Sequence, residues 1–177
     1  MPKKNWLATQ PWVYVQAPNV SAGFHGLLFK YLEHYGIGKT CMLIAEPPEV
    51  IPVFEAHFPG VAFSTLGYAG DTAEVYEQDL NVLVEPKATF DSLLSQATLE
   101  HVCRPSIFIE NLARMCNKKG IIVIHTVGPD CILHRIPIDC VRFLKDFWFD
   151  LPKYLPIELL AHTELGVHQF IAYRKTK

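Results

Sequence analysis

No apolar run in the 177 residues approaches the ~18–20 that a membrane-spanning helix needs. The opening stretch MPKKNWLATQPWVYVQAP has basic residues but no continuous apolar segment of the kind a secretory signal carries. Cationic clusters are missing too. The basic runs are short (Lys3-Lys4, Lys118-Lys119, Arg174-Lys175) and the formal charge is -2, which argues against a nucleic-acid surface. There is no internal repeat and no low-complexity stretch. Neither a glycine-rich phosphate loop nor a Gly-x-Ser-x-Gly elbow occurs, which removes the phosphate-loop and α/β-hydrolase readings. The five cysteines, an odd number, sit mostly among apolar neighbours, as reduced core thiols do. These absences predict a soluble, cytoplasmic protein without nucleic-acid or membrane partners.

What the sequence has is core material. Half of it is hydrophobic and 12% is aromatic, enough for one fully packed domain over 1–177. Residues 1–20, with three prolines and two tryptophans, read as an extended arm with a short strand at Trp12 to Val15. Ser21 is placed to cap a helix carrying Phe24, Leu27, Leu28, Tyr31, Leu32 and Tyr35 at helical spacing, ended by Gly36 and Gly38. CMLIAE, Cys41 to Glu46, reads as a buried parallel strand. Pro47-Pro48 stops it and opens a helix with Ile51, Phe54 and Phe58, which Pro59-Gly60 ends. VAFSTLGY is a second strand, AEVYEQDL a weaker third, and Phe90 to Ser95 a fourth.

Pro105 opens a helix with Phe108, Leu112, Met115 and Cys116 inward, and Lys118-Lys119-Gly120 reads as its end. Ile121 to Val127 is a fifth strand. An irregular stretch, 128–156, is rich in Pro, Asp and aromatics and predicts a helix near Val141 to Phe149. Two final strands, Ile157 to His162 and Val167 to Tyr173, form a hairpin about Glu164-Leu165-Gly166. The alternation predicts an α/β sandwich with a mostly parallel sheet and a C-terminal antiparallel hairpin. Ligands of such sheets bind outside the carboxyl ends of the strands, where strand order reverses. The turns after Glu46, Tyr68, Ser95 and Val127 lie at such ends.

The run FDSLLSQATLEHVCRPSIFIENLARMCNKKGIIVIHT, Phe90 to Thr126, resembles class I S-adenosylmethionine-dependent methyltransferases of the type 11 group. The matching pieces are Phe90-Asp91 opening the fourth strand, Leu99-Glu100-His101, then Lys118/Lys119-Gly120, then Ile121 to Ile124. HRIPIDCVRF, His134 to Phe143, is similar to a segment found in some members. The close match spans roughly residues 79 to 143. The resemblance implies a Rossmann-like methyltransferase sandwich with S-adenosylmethionine as cofactor. Residues 128–156 then stand where that family builds its acceptor pocket.

One part departs from the pattern. The family's first strand runs into an acidic residue and a Gly-x-Gly-x-Gly loop, where glycine lets the backbone approach the cofactor's methionine part. Here Ala45, Pro47 and Pro48 occupy those places, and proline removes a donor. The acid that would hold the ribose hydroxyls is absent from the end of the second strand, which reads TLGY, with Asp71 three residues later. Glu46 or Glu49 is a candidate substitute, and Tyr68 with Gly70-Asp71 is expected at the cleft mouth.

Two functions follow. The first is methyl transfer from S-adenosylmethionine to a small-molecule or sugar-like acceptor. The second is a non-catalytic methyltransferase-like module that binds a partner chain (another protein or a second copy) or another ligand. For the first, His101 and His134 are the candidate bases, since an imidazole titrates near neutrality. For His101 the alternative is a helix-start histidine bonded to backbone. Ala45, Glu46, Tyr68, Asp79, Leu80, Ser95 and Gln96 are the candidate cofactor contacts. Asp79 stands where the resemblance implies an adenine-binding carboxylate, or is a turn residue. Thr98 and Glu100 read as local capping groups, and Asp139 with Arg142 as a pair holding its loop. Cys131-x-x-His134 with Cys140 offers only one metal-like spacing, so no metal site is predicted.

Overall fold

The computed structural model describes residues 20–67, 79–133 and 139–177. The N-terminal arm, most of AEVYEQDL, Tyr68, Gly70-Asp71 and His134 lie outside the described residues. Asp79 and Leu80, at the end of AEVYEQDL, are not strand.

Helix α1, Val20–Tyr35, starts one residue ahead of Ser21, which therefore lies inside the first turn rather than capping it. Its end is as expected. The Gly36 amide donates to Leu32 O at 2.8 Å, with Gly36 and Gly38 both in the left-handed region. Strand β1, Thr40–Ile44, follows, then a 3-10 turn over Pro48–Val50 and helix α2, Ile51–His57. Strand β2 is Ala62–Leu66, β3 is Phe90–Gln96, and helix α3 is Pro105–Met115. Strand β4, Cys116–Val127, helix α4, Lys145–Asp150, and the hairpin β5, Ile157–Leu165, with β6, His168–Lys175, complete the chain.

The described strands form one sheet in the order β2-β1-β3-β4-β6-β5. β2, β1, β3 and β4 run parallel, and β6 is antiparallel to β4 and β5. Apolar residues alternate between the two faces, as strands buried on both sides require. One face packs Met42, Ile44, Leu93, Ile122, Ile124 and Tyr173 against Phe108 and Leu112 of α3 and Trp148 of α4. The other packs Leu43, Leu94, Val123 and Phe170 against Leu28 and Leu32 of α1 and Phe54 of α2.

Three further expectations need correction. The hairpin turns at Gly166-Val167 and not about Glu164-Leu165-Gly166, because β5 runs on through Glu164 to Leu165. Lys118-Lys119-Gly120 does not end the helix, because α3 stops at Met115 and the chain enters β4 at once. Phe90 pairs Cys116 while Ser92 pairs Ile121, so residues 117–120 bulge out of the ladder, with Lys119 at φ +67. Gly120 serves close approach. A Cβ there would lie 2.6 Å from Asp91 O and 2.7 Å from Cys116 Sγ. The helix expected from Val141 is only the turn and a half of α4, since 139–144 has no regular secondary structure, with Phe143 buried.

Asp91 organises this amino-terminal edge of the sheet. Its Oδ2 accepts from the Lys39 and Thr40 amides at 2.8 and 3.2 Å, and its Oδ1 from Asn117 Nδ2 at 2.9 Å. These donors, Asn117 first, hold its carboxyl below the usual range.

Candidate functional site

Buried polar side chains are not spread evenly through the described core. Thr65, Ser95, Gln96, Glu100, His125, Thr126 and Gln169 all lie at or just beyond the carboxyl edge of the parallel strands, the exceptions being Ser92 and Asn111. Burying a polar group is costly unless it is satisfied, so this clustering marks the edge as a built polar site.

Its centre is the β1–β3 step. Ile44 pairs Leu66 on one side and Ser95 on the other, so the chains leaving β1, β2 and β3 emerge together. The two turns after Ile44 and Ser95 therefore meet at the reversal of strand order, as the sequence predicted. Both turn through left-handed alanines, Ala45 at φ 58 and Ala97 at φ 45. That conformation costs an L-residue roughly 1–2 kcal/mol, so the surrounding fold holds each turn in place. Ala45 keeps a glycine-like path without a glycine. Its amide, however, donates to Leu66 O at 2.6 Å, as the Ala97 amide does to His125 O at 3.0 Å. Pro47 and Pro48 have no amide hydrogen to offer.

Glu46 follows on this turn, and burial raises its carboxyl to about 7. Ser95 Oγ and Gln96 Oε1 are buried with no hydrogen-bond partner among the described residues. Beside Gln96 stands His125, whose Nε2 is 3.2 Å from His168 Nδ1 and whose ring stacks on Phe170. Burial, then the neighbouring His168, lowers His125 to about 3, so it is neutral near pH 7.

The loop after β3 crosses the edge as a 3-10 turn over Leu99–His101. Thr98 stands at the start of this turn but its side chain does not cap it as expected: its Oγ1 donates backward to Gln96 O at 2.8 Å. Glu100 does not cap the turn. It is fully buried and accepts from Thr126 Oγ1 at 2.7 Å. Its carbonyl also accepts the Cys140 and Val141 amides at 2.8 and 3.2 Å. His101 closes the turn half-buried, its amide donating to Thr98 O at 3.0 Å.

Asp79 is exposed and accepts from the Asn81 amide and side chain at 2.9 and 3.0 Å, the geometry of a turn residue. Leu80 is core. Asn81 Oδ1 accepts the Cys103 and Arg104 amides ahead of α3, and Asn111 clasps Leu80, Val82 and Val84 by their backbones. Asp139 and Arg142 form the loop-holding pair expected of them, with Arg142 also donating to Cys131 O and Ile132 O. No cluster of three metal-ligating side chains exists among the described residues.

Sequence reasoning missed His125, Thr126, His168 and Gln169. Their signal was polar residues at the ends of otherwise apolar strands, in IIVIHTV and HQFIAY. Gln169 Nε2 donates to Phe143 O at 2.8 Å and its Oε1 accepts from Trp148 Nε1, which fixes α4 to the sheet.

An open, mostly parallel sheet with a polar carboxyl edge at its switch point is a ligand-binding fold of the doubly wound class. The chain belongs to the methyltransferase-domain family, whose profile matches residues 19–124, more than half of its length. This is the class I, S-adenosylmethionine-dependent family. The match includes the stretch from Ala45 to Pro48. No curated protein matches the sequence. Among solved structures, the fold is similar to a candidate sarcosine dimethylglycine methyltransferase from Galdieria sulphuraria, at 11% identity and TM-score 0.70, covering 88% of this chain and 85% of that one. It is similar to a SAM-dependent methyltransferase from Aquifex aeolicus at 13% identity and TM-score 0.61, covering 83% and 88%. A chain of the complex between the Haloferax volcanii Trm112 methyltransferase activator and a candidate methyltransferase matches at 10% identity and TM-score 0.64, covering 88% and 93%. At such identities the likeness is one of fold.

The family's cofactor is S-adenosylmethionine. The backbone path here fits it, through the left-handed turns at Ala45 and Ala97, and the half-buried Glu46 carboxyl stands on the first of these turns. They supply fewer amide donors than a glycine loop does.

Proposed function

We propose that the protein binds S-adenosylmethionine across the ends of β1 and β3 and transfers its methyl group to a small-molecule or sugar-like acceptor. The observation that carries this reading is the meeting of the Ala45–Glu46 turn with the Ser95–Ala97 turn, through the Ile44–Ser95 pairing. In this reading Glu46 balances the ligand's positive charge, while Ser95 and Gln96 offer polar atoms that have no partner among the described residues. Methyl transfer is a displacement, so the protein's work is to align the two reactants and to exclude water. For an oxygen acceptor it also takes a proton. His101, on the turn over the edge, and His134 are the proposed bases. Asp79 contributes to the adenine side only if its Asn81 contacts open. The acceptor sits under residues 128–156, where Gln169 and Arg142 hold the segment.

A second reading is a non-catalytic binding module, acting through a protein partner or a second copy. It is favoured by the committed Ala45 amide and by the missing donors at Pro47 and Pro48. Calorimetry with S-adenosylmethionine and S-adenosylhomocysteine separates the two. Two lost hydrogen bonds at about 0.5–1.5 kcal/mol each weaken binding roughly tenfold or more relative to a glycine-loop relative. Micromolar binding upholds the enzyme; no heat at millimolar ligand leaves the binding module.

A further inference from the structure

Cys103 and Cys140 lie 37 positions apart in sequence, yet their sulfurs are 2.8 Å apart. Cys103 is exposed, directly after the turn that crosses the carboxyl edge, and Cys140 is half-exposed on the irregular stretch 139–144. A disulfide bond is about 2.0 Å long, so the two sulfurs need close only about 0.8 Å more to bond. The backbone already holds them in place. The Cys140 amide is bonded to Glu100 O at 2.8 Å, the Val141 amide to the same carbonyl at 3.2 Å, and Cys140 Sγ lies 3.6 Å from His101 O. On the other side, Asn81 Oδ1 fixes the Cys103 amide at 3.1 Å. The remaining cysteines have different surroundings. Cys41 and Cys116 are buried, and Cys131 stands beside the Arg142 staple.

We propose that Cys103 and Cys140 form a reversible redox site, a disulfide that locks residues 139–143 onto the turn Leu99–His101. The oxidant is a peroxide. The Cys103 sulfur attacks one peroxide oxygen, the O–O bond breaks, and Cys103 becomes a sulfenic acid as the other oxygen leaves as water. The Cys140 sulfur then attacks the Cys103 sulfur, forming the S–S bond and expelling the sulfenic oxygen as a second water. Two thiols are oxidised, one peroxide is reduced, and two waters are released. A small-molecule dithiol reverses the step by exchange. The exposed Cys103 is the one a peroxide reaches first. Cys140, whose thiol is pushed up to about 11 chiefly by the shared hydrogen bond with Cys103, is the resolving partner. Because both backbone partners of the lock belong to the turn over the proposed cofactor edge, oxidation fixes the distance between that edge and the acceptor segment.

The test needs no ligand. The purified chain is treated with hydrogen peroxide, and its thiols are counted after denaturation beside a reduced control. Expected is the loss of two titratable thiols per chain, with one new peptide pair, Cys103 with Cys140, that disappears on reduction. Protease cleavage within residues 139–143 slows in the oxidised form and recovers with dithiothreitol. Cys131→Ser leaves the pair intact, whereas Cys140→Ser replaces it by a sulfenic acid on Cys103, trapped by dimedone. Retention of all thiols, a pair that includes Cys131, a bond between two chains, or oxidation of Cys103 to a sulfinic acid in the unmutated protein would each overturn the proposal. Because the readout is covalent, it stands apart from whether the edge binds S-adenosylmethionine.

Discussion

The Thr126 hydroxyl donates at 2.7 Å to the Glu100 carboxylate, and neither residue is reached by solvent. This bond ties the turn after β3 to the end of β4 on the face covered by α3. A buried carboxylate that loses a donor bears a desolvation cost. Thr126→Val keeps the side-chain shape and removes only the hydroxyl. We expect it to lower stability by about 1–3 kcal/mol, read as a shift in the urea midpoint at unchanged slope. An unaltered midpoint would show that the bond contributes nothing.

Asp91 sets a pH limit. Its folded carboxyl titrates below the unfolded value, so its contribution is present above the unfolded pKa of about 3.9 and is lost as pH falls through the lower folded value. Wild-type stability should therefore drop below about pH 4. Asp91→Asn should be less stable at neutral pH and lose less on acidification. Parallel pH profiles for the two proteins would contradict this.

Ala45 holds a strained turn. Glycine at this position removes a left-handed penalty of roughly 1–2 kcal/mol but adds unfolded-state entropy of roughly 0.5–1 kcal/mol. Ala45→Gly is expected to stabilise by up to about 1 kcal/mol, measured by thermal or denaturant unfolding. A clear loss of stability would mean that the alanine methyl packs usefully on this edge.

Glu46 makes ligand binding depend on pH if the proposed function holds. Its carboxyl titrates near 7 because of burial, so it is charged above that pH and neutral below it. A sulfonium ligand is attracted only to the charged form. Binding of S-adenosylmethionine should weaken from pH 8 to pH 6, and weaken less for S-adenosylhomocysteine, which lacks the sulfonium. Glu46→Gln should bind weakly at both pH values and flatten the profile in calorimetry. Equal pH profiles for the mutant and the wild type would remove Glu46 from the site.

Restoring a donor should restore affinity. Pro47→Gly returns one amide hydrogen to the turn after β1, and one good hydrogen bond is worth about 0.5–1.5 kcal/mol. Binding of S-adenosylhomocysteine should tighten by a few-fold up to about tenfold. No change in a variant whose melting curve is native-like would mean that the turn does not touch the ligand.

The sequence by itself determined the layering of the fold. Apolar runs of strand length separated by helical spacing leave one arrangement, because each strand needs cover on both faces. Gly36, Pro48 and Gly166 punctuate it through local backbone preference, which needs no distant partner. The Phe90-Asp91 pair was legible as a strand start, and the Ala45–Pro48 departure as missing glycines and missing amides.

Only the tertiary structure decided what those residues do. Local charge and glycine made Lys118-Lys119-Gly120 look like a helix end, but the approach of Asp91 O to Gly120 turns it into a strand bulge. Glu100 read as a cap because its neighbours in sequence are turn formers, and its true partner, Thr126, is 26 residues away. His125 and His168 meet across β4 and β6, and Cys103 meets Cys140 across two loops. Sequence spacing carries information about neighbours three or four residues apart on a helix or two apart on a strand. It carries none about which strand ends lie side by side, and the site is made where those ends meet.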